Sequence, residues 1–323
     1  MEPLSRDEVG AALEPIAPDL KRIEAVIYEV SAAATSFLTE GTTYLTKAGG
    51  KRLRPAVAVL GSRLGSGPNH HVDITAAAIE MVHLATLYHD DVIDEADMRR
   101  GVPSANEKWG NKVAILAGDY LFARASKISS EVGGDVPGAL ADAIAQVVQG
   151  QVNELGSVYD PRRSEEQYFT TIGGKTASLI EVAVRLGASL ASCEPEVVAA
   201  MRRFGEAFGY AFQVADDLLD LTASEEELGK PPGTDLRDGV YTLPVIYAVE
   251  ADSSLASKLG TPSVDVDAVR EATFVTGAFE RAMMVAMGYV EEALSALKSA
   301  PPSPARATLE QITRLVVDRV PVP

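Results

Sequence analysis

The sequence predicts an all-α protein, because apolar residues recur at helical spacing along most of its 323 residues and strand-like alternation is scarce. Hydrophobic residues make up 46% of the chain, which is enough for a sizeable core. No stretch of linker composition is long enough to force a division into domains. We therefore expect a single large helical domain over residues 1–323.

The predicted helices follow one another along the chain, with clusters of turn-forming residues between them. Helical spacing of apolar residues covers residues 73–89, 112–131, 136–155, 175–190, 195–221 and 279–299. Glycine, proline and serine collect at 65–69, 133–138, 229–233 and 301–304, which predicts turns there. We expect ten or more helices in all, with residues 1–20 and 301–323 at the periphery.

Net charge and cysteine content argue against several classes of protein. A formal charge of −17 disfavours a broad basic face for nucleic acid, although a local basic pocket for an anion stays open. Cys193 is the single cysteine, so no intramolecular disulfide can form, which fits a reducing cytoplasm. The acidic start MEPLSRDEVG is unlike a signal peptide, and no apolar run approaches the roughly 20 residues that span a bilayer. We expect a cytoplasmic protein without a transmembrane segment.

The chain contains two aspartate-rich motifs of the form DDxxD. They are Asp90-Asp91-x-x-Asp94 and Asp216-Asp217-x-x-Asp220. On a helix, positions four apart are rotated by about 40°, so the first and last aspartates of each motif share a face. Like charges at that spacing destabilise an isolated helix, whereas a hard divalent cation would reverse the sign of the interaction. A lone acidic motif is usually a solvated face, but the apolar surroundings ATLYHDD and FGYAFQVADDLLD indicate a lined cavity or a metal site.

Basic turns flank both acidic motifs. Lysine and arginine occur in GGKRLRP (residues 49–55), at Arg99 and Arg100, in GGKT (173–176) and in GKPPG (229–233). Glycine lets backbone approach an anion closely and arginine grips phosphate with two hydrogen bonds, so the combination suits a diphosphate bridged by Mg²⁺. GGKT is not a nucleotide P-loop, because Phe169 stands where that motif requires glycine. Neither acidic motif has the ligand pattern of an EF-hand.

Two further polar side chains are expected on the faces of the acidic motifs. His83 precedes Asp90 by seven residues, almost two helical turns, and Gln213 precedes Asp216 by three. For His83, an anion contact and a satisfied packing role are equally open, because a lone histidine serves either purpose.

In this order, the motifs resemble those of the trans-isoprenyl diphosphate synthases, the polyprenyl synthetase family, and in particular its long-chain members. The resemblance runs over about residues 45–250, through GGKRLRP, HLATLYHDDVIDEADMRRG, GGKTASLIE, FGYAFQVADDLLD, GKPPGTDLRDG and TLP. It implies an all-α bundle around a deep central cavity, and a homodimer. The implied reaction is a Mg²⁺-dependent, head-to-tail condensation of isopentenyl diphosphate with an allylic diphosphate.

The resemblance also implies roles for individual residues, with Lys175 and the six aspartates as the catalytic set. Three Mg²⁺ ions would be bound with substrate, held by Asp90, Asp94 and Asp216 and supported by Asp91, Asp217 and Asp220. The allylic diphosphate would be contacted by Arg99, Lys175, Thr176, Gln213 and Lys230. Isopentenyl diphosphate would be held by Lys51, Arg54, His83 and Arg100. Cations at the departing oxygens would stabilise charge where it develops.

Three positions bear on phosphate binding and product length. Val240 stands where the family often has lysine, so the resemblance implies weaker allylic binding but not loss of activity. Bulky aromatics five and four residues before the first aspartate stop the product short in this family, and here those positions are the small Ala85 and Thr86. We expect a chain-length gate open to products longer than C15, of the long-chain quinone side-chain type. A plain packing role for Ala85 is the alternative.

Other functions stay open beside this one. The nearest is a geranylgeranyl diphosphate synthase. A terpene cyclase usually has an Asn/Ser/Glu metal motif in place of the second DDxxD, and a non-catalytic partner subunit tends to lose aspartates, whereas this chain has all six. A membrane prenyltransferase would need spanning helices. Transient membrane association during product release is compatible with the resemblance.

Overall fold

The computed structural model describes residues 6–223, 232–261 and 263–321, and it confirms the all-α prediction. The helices are α1 (Arg6–Leu13), α2 (Ala17–Ser31), α3 (Ser36–Lys47), α4 (Leu53–Ser62), α5 (His70–Ile93), α6 (Ala105–Trp109), α7 (Asn111–Val132), α8 (Val136–Leu155), α9 (Glu165–Ile172), α10 (Ser178–Leu190), α11 (Pro195–Thr222), α12 (Thr234–Arg237), α13 (Leu243–Ala251), α14 (Val266–Val275), α15 (Ala278–Leu297) and α16 (Pro304–Asp318). Short 3₁₀ segments lie at Glu14–Ile16 and Ser253–Lys258, and a π-helical turn lies at Gly173–Ala177.

Helices α5 and α11 carry the two acidic motifs. The 24-residue α5 packs against α2, α4, α7 and α10, so it is buried on several sides. Its start is capped by Asn69, whose side chain accepts the N–H of Val72 at 3.1 Å. The 28-residue α11 packs between α10 and α15. Each motif occupies the C-terminal end of its helix, which brings two sets of carboxylates to helix ends of the same polarity.

A short hairpin follows the first motif. Strands β1 (Met98–Arg99) and β2 (Val102–Pro103) pair antiparallel, with Met98 opposite Pro103. The two turn residues, Arg100 and Gly101, have positive φ angles of 55° and 77°, as a type I′ turn requires. The turn directs Arg100 back onto the end of α3 and the loop that follows it, where its Nη1 donates to the carbonyl of Leu45 at 3.0 Å and to that of Gly49.

Helix boundaries follow the sequence prediction closely, with two differences. The predicted helix 175–190 begins with the π-helical turn, so its regular part starts at Ser178. The end segments, expected at the periphery, contribute to the main core through Leu13, Ile16, Leu309 and Ile312, all buried. The reason is that α1 and α16 pack against each other with their apolar faces inward. No described helix combines the length and apolar character needed to cross a bilayer.

Candidate active site

A cavity of about 570 Å³ lies between the C-terminal ends of α5, α8 and α11. Five of the predicted site residues line it, namely Asp94, Asp217, Lys175, Thr176 and Gln213. Apolar wall is supplied by Ile93, Leu155 and Ile172. The structure therefore brings parts of both acidic motifs and of the GGKT turn to one cavity, although these residues are far apart in sequence.

The first acidic motif lies in the last turn of α5 and at its C-terminal cap. Asp91 is fully buried, and its Oδ1 accepts a hydrogen bond from Arg99 Nε at 2.6 Å. Burial raises the pKa of Asp90 to about 6, the Lys175 ammonium opposes the shift, and the neighbouring Asp94 carboxylate adds to it. A helix C-terminus carries partial negative charge, so carboxylates there are unfavourable unless a cation compensates them.

The second acidic motif lies in the last two turns of α11 and is held by neutral donors. Asp217 is buried and accepts hydrogen bonds from the Tyr168 hydroxyl at 2.5 Å and from Gln213 Nε2 at 2.8 Å. Burial, and next the Asp235 carboxylate, hold the pKa of Asp217 well above its usual range. Asp216 is exposed, and its Oδ1 lies 3.5 Å from Arg319 Nη2. Asp220 Oδ2 accepts the backbone N–H of Asp235 at 3.3 Å.

The GGKT turn adds a cation and a hydroxyl to the same cavity. Lys175 Nζ contacts Glu154 Oε1 at 2.5 Å. Burial lowers the pKa of Lys175, but the carboxylates of Glu154 and Asp90 outweigh it and raise the pKa overall. Thr176 Oγ1 donates to Gln213 Oε1 at 2.6 Å, so Gln213 links the turn to Asp217. The ammonium and the amide are thus oriented before any ligand binds.

The residues predicted for isopentenyl diphosphate form a second, basic group. Burial keeps the pKa of His83 well below its usual value, and the charges of Arg54 and Arg100 lower it further, so His83 is neutral. Burial also lowers the pKa of Arg54, whose Nε is buried without a hydrogen-bond partner among the described residues. Arg52, in the same motif, is engaged by Glu24 at 2.8 Å and Glu80 at 3.3 Å, which makes it a structural residue.

Some predicted residues lie elsewhere. Lys230 falls outside the described residues. Lys51 is exposed and borders a small crevice with Phe212 and Arg319. Ala85 is fully buried where α5 crosses α7, and Thr86 Oγ1 donates to its own helix at the carbonyl of His83, 2.8 Å away. Neither Ala85 nor Thr86 is among the residues that line the 570 Å³ cavity, so their role in chain length stays a prediction.

Three residues of the site were not found by sequence reasoning. Glu154 pairs with Lys175, Tyr168 donates to Asp217, and Arg319 lies beside Asp216, with its Cζ 4.9 Å from the centre of the Phe212 ring. None belongs to a recognisable motif. Glu154 had one signal, since it is an acidic residue near the end of the otherwise largely apolar stretch VPGALADAIAQVVQGQVNEL.

The donor set fits a hard divalent cation that is completed by a ligand. Within the described ranges, no three histidine, cysteine, aspartate or glutamate side chains form a ready-made metal site. Asp90 belongs to α5 and Asp94 is the residue that caps its C-terminal end, whereas Asp216 belongs to α11. Mg²⁺ commonly takes one or two carboxylates and fills its other positions with water and substrate phosphate oxygens. The arrangement therefore suits an ion shared with a phosphate group better than a closed protein cage.

Comparisons with known proteins agree on one family. A family model described as polyprenyl synthetase matches residues 35–274. Nonaprenyl diphosphate synthase of Mycobacterium tuberculosis is 41% identical over 306 residues, which cover 92% of this chain and 91% of that protein. A decaprenyl diphosphate synthase structure from Rhodobacter capsulatus superposes with a TM-score of 0.91 at 34% identity, covering 97% of this chain and all of the other.

A second solved structure bears on the metal. Polyprenyl synthase from Caulobacter crescentus, complexed with calcium and isoprenyl diphosphate, has a TM-score of 0.91 at 32% identity and covers 97% of this chain and 98% of that one. That relative thus binds a divalent cation and a diphosphate. With the two acidic motifs, the GGKT turn and the all-α fold in place, these matches show that the chain belongs to the polyprenyl synthetase family.

Proposed function

We propose that this protein condenses isopentenyl diphosphate with an allylic diphosphate, head to tail, to make an all-trans polyprenyl diphosphate longer than C15. The observation that carries the proposal is the composition of the cavity. Asp94 and Asp217, from different acidic motifs, line it together with Lys175, Thr176 and Gln213. Membership of the polyprenyl synthetase family supports the reaction class.

The cavity residues suit the departure of an allylic diphosphate. As the carbon–oxygen bond breaks, negative charge builds on the leaving oxygens, and prepositioned donors stabilise it there. Lys175 is oriented by Glu154, and Gln213 is oriented by its bonds to Thr176 and Asp217. The apolar side chains of Ile93, Leu155 and Ile172 would limit access of water to the allylic cation.

Mg²⁺ would be held by Asp90, Asp94 and Asp216, with Asp91, Asp217 and Asp220 in support. When bound, Mg²⁺ would supply Lewis-acid stabilisation of the diphosphate oxygens. The carboxylates of the first motif stand at the negative end of α5, where burial raises the pKa of Asp90 and the Asp94 carboxylate adds to the rise, so a bound cation would stabilise their charged forms. We propose three ions with substrate bound.

Isopentenyl diphosphate would occupy the basic group, held by Lys51, Arg54, His83 and Arg100. Neutral His83 can donate one hydrogen bond and accept another, while the arginines provide charge. Arg99 pairs with Asp91 of the first acidic motif at 2.6 Å and would contact the allylic diphosphate. Lys230 would complete that side. The double bond of isopentenyl diphosphate would then attack the allylic cation, and released diphosphate would take the proton.

A long-chain product is the form of the reaction that we favour over a geranylgeranyl product. The relatives at 41% and 34% identity are named for nonaprenyl and decaprenyl products. Ala85 and Thr86 are small, as a gate open to long products requires. A terpene cyclase and a non-catalytic subunit are less favoured, because both acidic motifs are complete.

A homodimer in the cytoplasm is the assembly that we propose. Large apolar side chains are 42–61% exposed at the start of α7 and the end of α8, namely Ile115, Leu116, Val148, Val152 and Leu155. Because a short turn connects the end of α7 to the start of α8 and the two helices pack together, the start of α7 and the end of α8 lie at the same end of the pair. A second copy of the chain would cover these side chains, since exposed apolar patches commonly mark interfaces.

The function is tested by incubating the purified protein with Mg²⁺, labelled isopentenyl diphosphate and farnesyl diphosphate, and sizing the products by chromatography. We expect chains well beyond C15, and no product when a chelator removes the metal. Absence of elongation with every allylic primer would contradict the synthase assignment. A ceiling at C20 would instead support the geranylgeranyl alternative. Light scattering on the same sample measures whether the particle has twice the chain mass of 34.1 kDa.

A further inference from the structure

A buried arginine lines the cavity and has no role in the proposed site so far. Arg163 ends the loop between α8 and α9 and is only 4% exposed. Its neighbour Arg162 behaves quite differently, with a side chain that is 87% exposed and paired with Asp160 at 3.0 Å. An arginine is almost never buried without a partner for its charge, so the burial of Arg163 requires an explanation.

The hydrogen bonds of Arg163 leave much of its guanidinium unused. Nη1 donates to the carbonyl of Tyr241 at 3.0 Å, and Cζ lies 5.7 Å from the centre of the Tyr168 ring. Nε is buried without a hydrogen-bond partner, and within the described residues no carboxylate oxygen lies at ion-pair distance from the group. Lys175, across the same cavity, is by contrast already paired with Glu154. The guanidinium has five N–H donors, so it retains the capacity to bind an anion.

The cavity that Arg163 lines also carries the carboxylates of Glu154, Asp217, Asp235 and Asp238, and its cations among the described residues are Lys175 and Arg163. Val240 lines the cavity next to Tyr241, the residue whose carbonyl holds Arg163. The resemblance to the family implied that a phosphate contact is missing at Val240. The structure places another cation, Arg163, against the next residue, Tyr241. Arg163 shares its cavity with Lys175, Thr176 and Gln213, not with the basic group of Arg54, His83 and Arg100.

We propose that Arg163 binds the diphosphate of the allylic substrate and supplies the positive charge that Val240 does not provide. The inference rests on the proposed function, because it assigns a ligand to the same cavity. The carbonyl of Tyr241 orients the guanidinium, and its remaining N–H groups donate to phosphate oxygens. Guanidinium and phosphate form paired, charge-assisted hydrogen bonds, which makes arginine well suited to this task.

The first test is Arg163→Gln, which removes the charge and keeps a hydrogen-bonding side chain. Loss of a hydrogen bond to a charged group should raise the KM for farnesyl diphosphate about tenfold to a hundredfold. The KM for isopentenyl diphosphate should change by less than about twofold, since we propose that this substrate binds at the separate basic group of Arg54, His83 and Arg100. Arg162→Gln is the matched control and should leave both constants unchanged. An equal rise in both constants, or no rise, would overturn the proposal.

The second test places a cation at the neighbouring position. Val240→Lys in the Arg163→Gln background should recover most of the lost affinity for farnesyl diphosphate, whereas a purely structural clamp on Tyr241 would not be rescued. If Arg163→Gln does not fold, Val240→Lys alone decides, because a second cation on this wall should lower the inhibition constant of inorganic diphosphate several-fold. No change in that constant would overturn the inference. Failure of the unmodified protein to elongate any primer would instead overturn the proposed function itself.

Discussion

The two GGK turns have the same three residues and different backbones. Gly49 and Gly50 lie in an irregular loop with φ angles of 90° and 142°, and Lys51 after them is exposed. Residues 173–175 form a π-helical turn in which Lys175 is partly buried and paired with Glu154. The two GGK segments are thus alike in residue type but not in backbone conformation, and each presents its lysine from a different local structure.

Glycine is required in both turns, for different reasons. A Cβ on Gly50 would lie 2.9 Å from Arg100 Cζ, so this glycine makes room for a guanidinium. A Cβ on Gly174 would lie 2.4 Å from the carbonyl oxygen of Gln146 and 3.2 Å from Gly150 Cα, so this one lets the turn touch the backbone of α8. A side chain can rotate away from an added methyl group, whereas a packed helix backbone cannot.

The two DDxxD motifs differ in the same way. In the first, buried Asp91 is matched by a charged partner, Arg99. In the second, buried Asp217 is matched by the neutral donors Tyr168 and Gln213. The charge of Asp91 is therefore already partly neutralised by the protein, whereas Asp217 relies on hydrogen bonds, so substitutions at these two positions should not have equivalent effects.

The largest effect is expected at the first acidic motif, where we propose that Mg²⁺ and the allylic diphosphate bind. Asp90→Asn removes a carboxylate of the first acidic motif, and we expect kcat to fall about a thousandfold, as for loss of a group that stabilises transition-state charge. The measurement is steady-state turnover of farnesyl and isopentenyl diphosphates at saturating Mg²⁺.

The control for Asp90→Asn is Asp97→Asn, in the same acidic stretch. Asp97 is exposed and lies in the loop after α5, outside both acidic motifs, so activity should stay within about twofold. A loss of similar size in both variants would mean that the overall charge of the stretch matters, and not the position of Asp90.

A smaller effect is expected from the GGKT turn, where Gly174 packs against the backbone of α8. Gly174→Ala should destabilise the protein by about 2–3 kcal/mol, because overpacking against a fixed helix forces the backbone to move. Urea denaturation followed by circular dichroism gives the free energy of unfolding. Gly138→Ala, in α8 with open space around it, is the control and should be neutral or slightly stabilising. A Gly174→Ala variant as stable as the parent would disprove the close crossing of the turn and α8.

Much of this site could be predicted from sequence because its residues come in motifs. Helical spacing placed Asp90 with Asp94, and the run GGKT marked Lys175. The partners that orient these groups could not be predicted in the same way. Glu154 contacts Lys175, and Tyr168 contacts Asp217, from other helices. Such contacts depend on the tertiary arrangement and leave no local sequence pattern. The single-domain organisation stays a prediction.

Helix boundaries show the same division. Segment 136–155 was predicted to the residue, because proline and glycine bound it and its apolar period is regular. The segment from residue 175 was not, because it begins with the π-helical turn Gly173–Ala177, which packs closely against α8 at Gly150 and has no local sequence signal. Ala85 illustrates the limit for function, since its small size was evident from sequence but its burial against α7 was not.

The smallest effect is expected from the first turn. Gly49→Ala adds a methyl group with no atom within 4 Å, so its cost is confined to holding alanine at a φ of 90°. We expect a loss of about 1 kcal/mol in the free energy of unfolding, the usual cost of a left-handed conformation for an L-residue. Gly288→Ala, on the exposed side of α15 in open space, should by contrast stabilise the protein by about 0.5–1 kcal/mol. If Gly49→Ala were as damaging as Gly174→Ala, the first turn would also be set by packing, and the two GGK turns would be more alike than their backbones indicate.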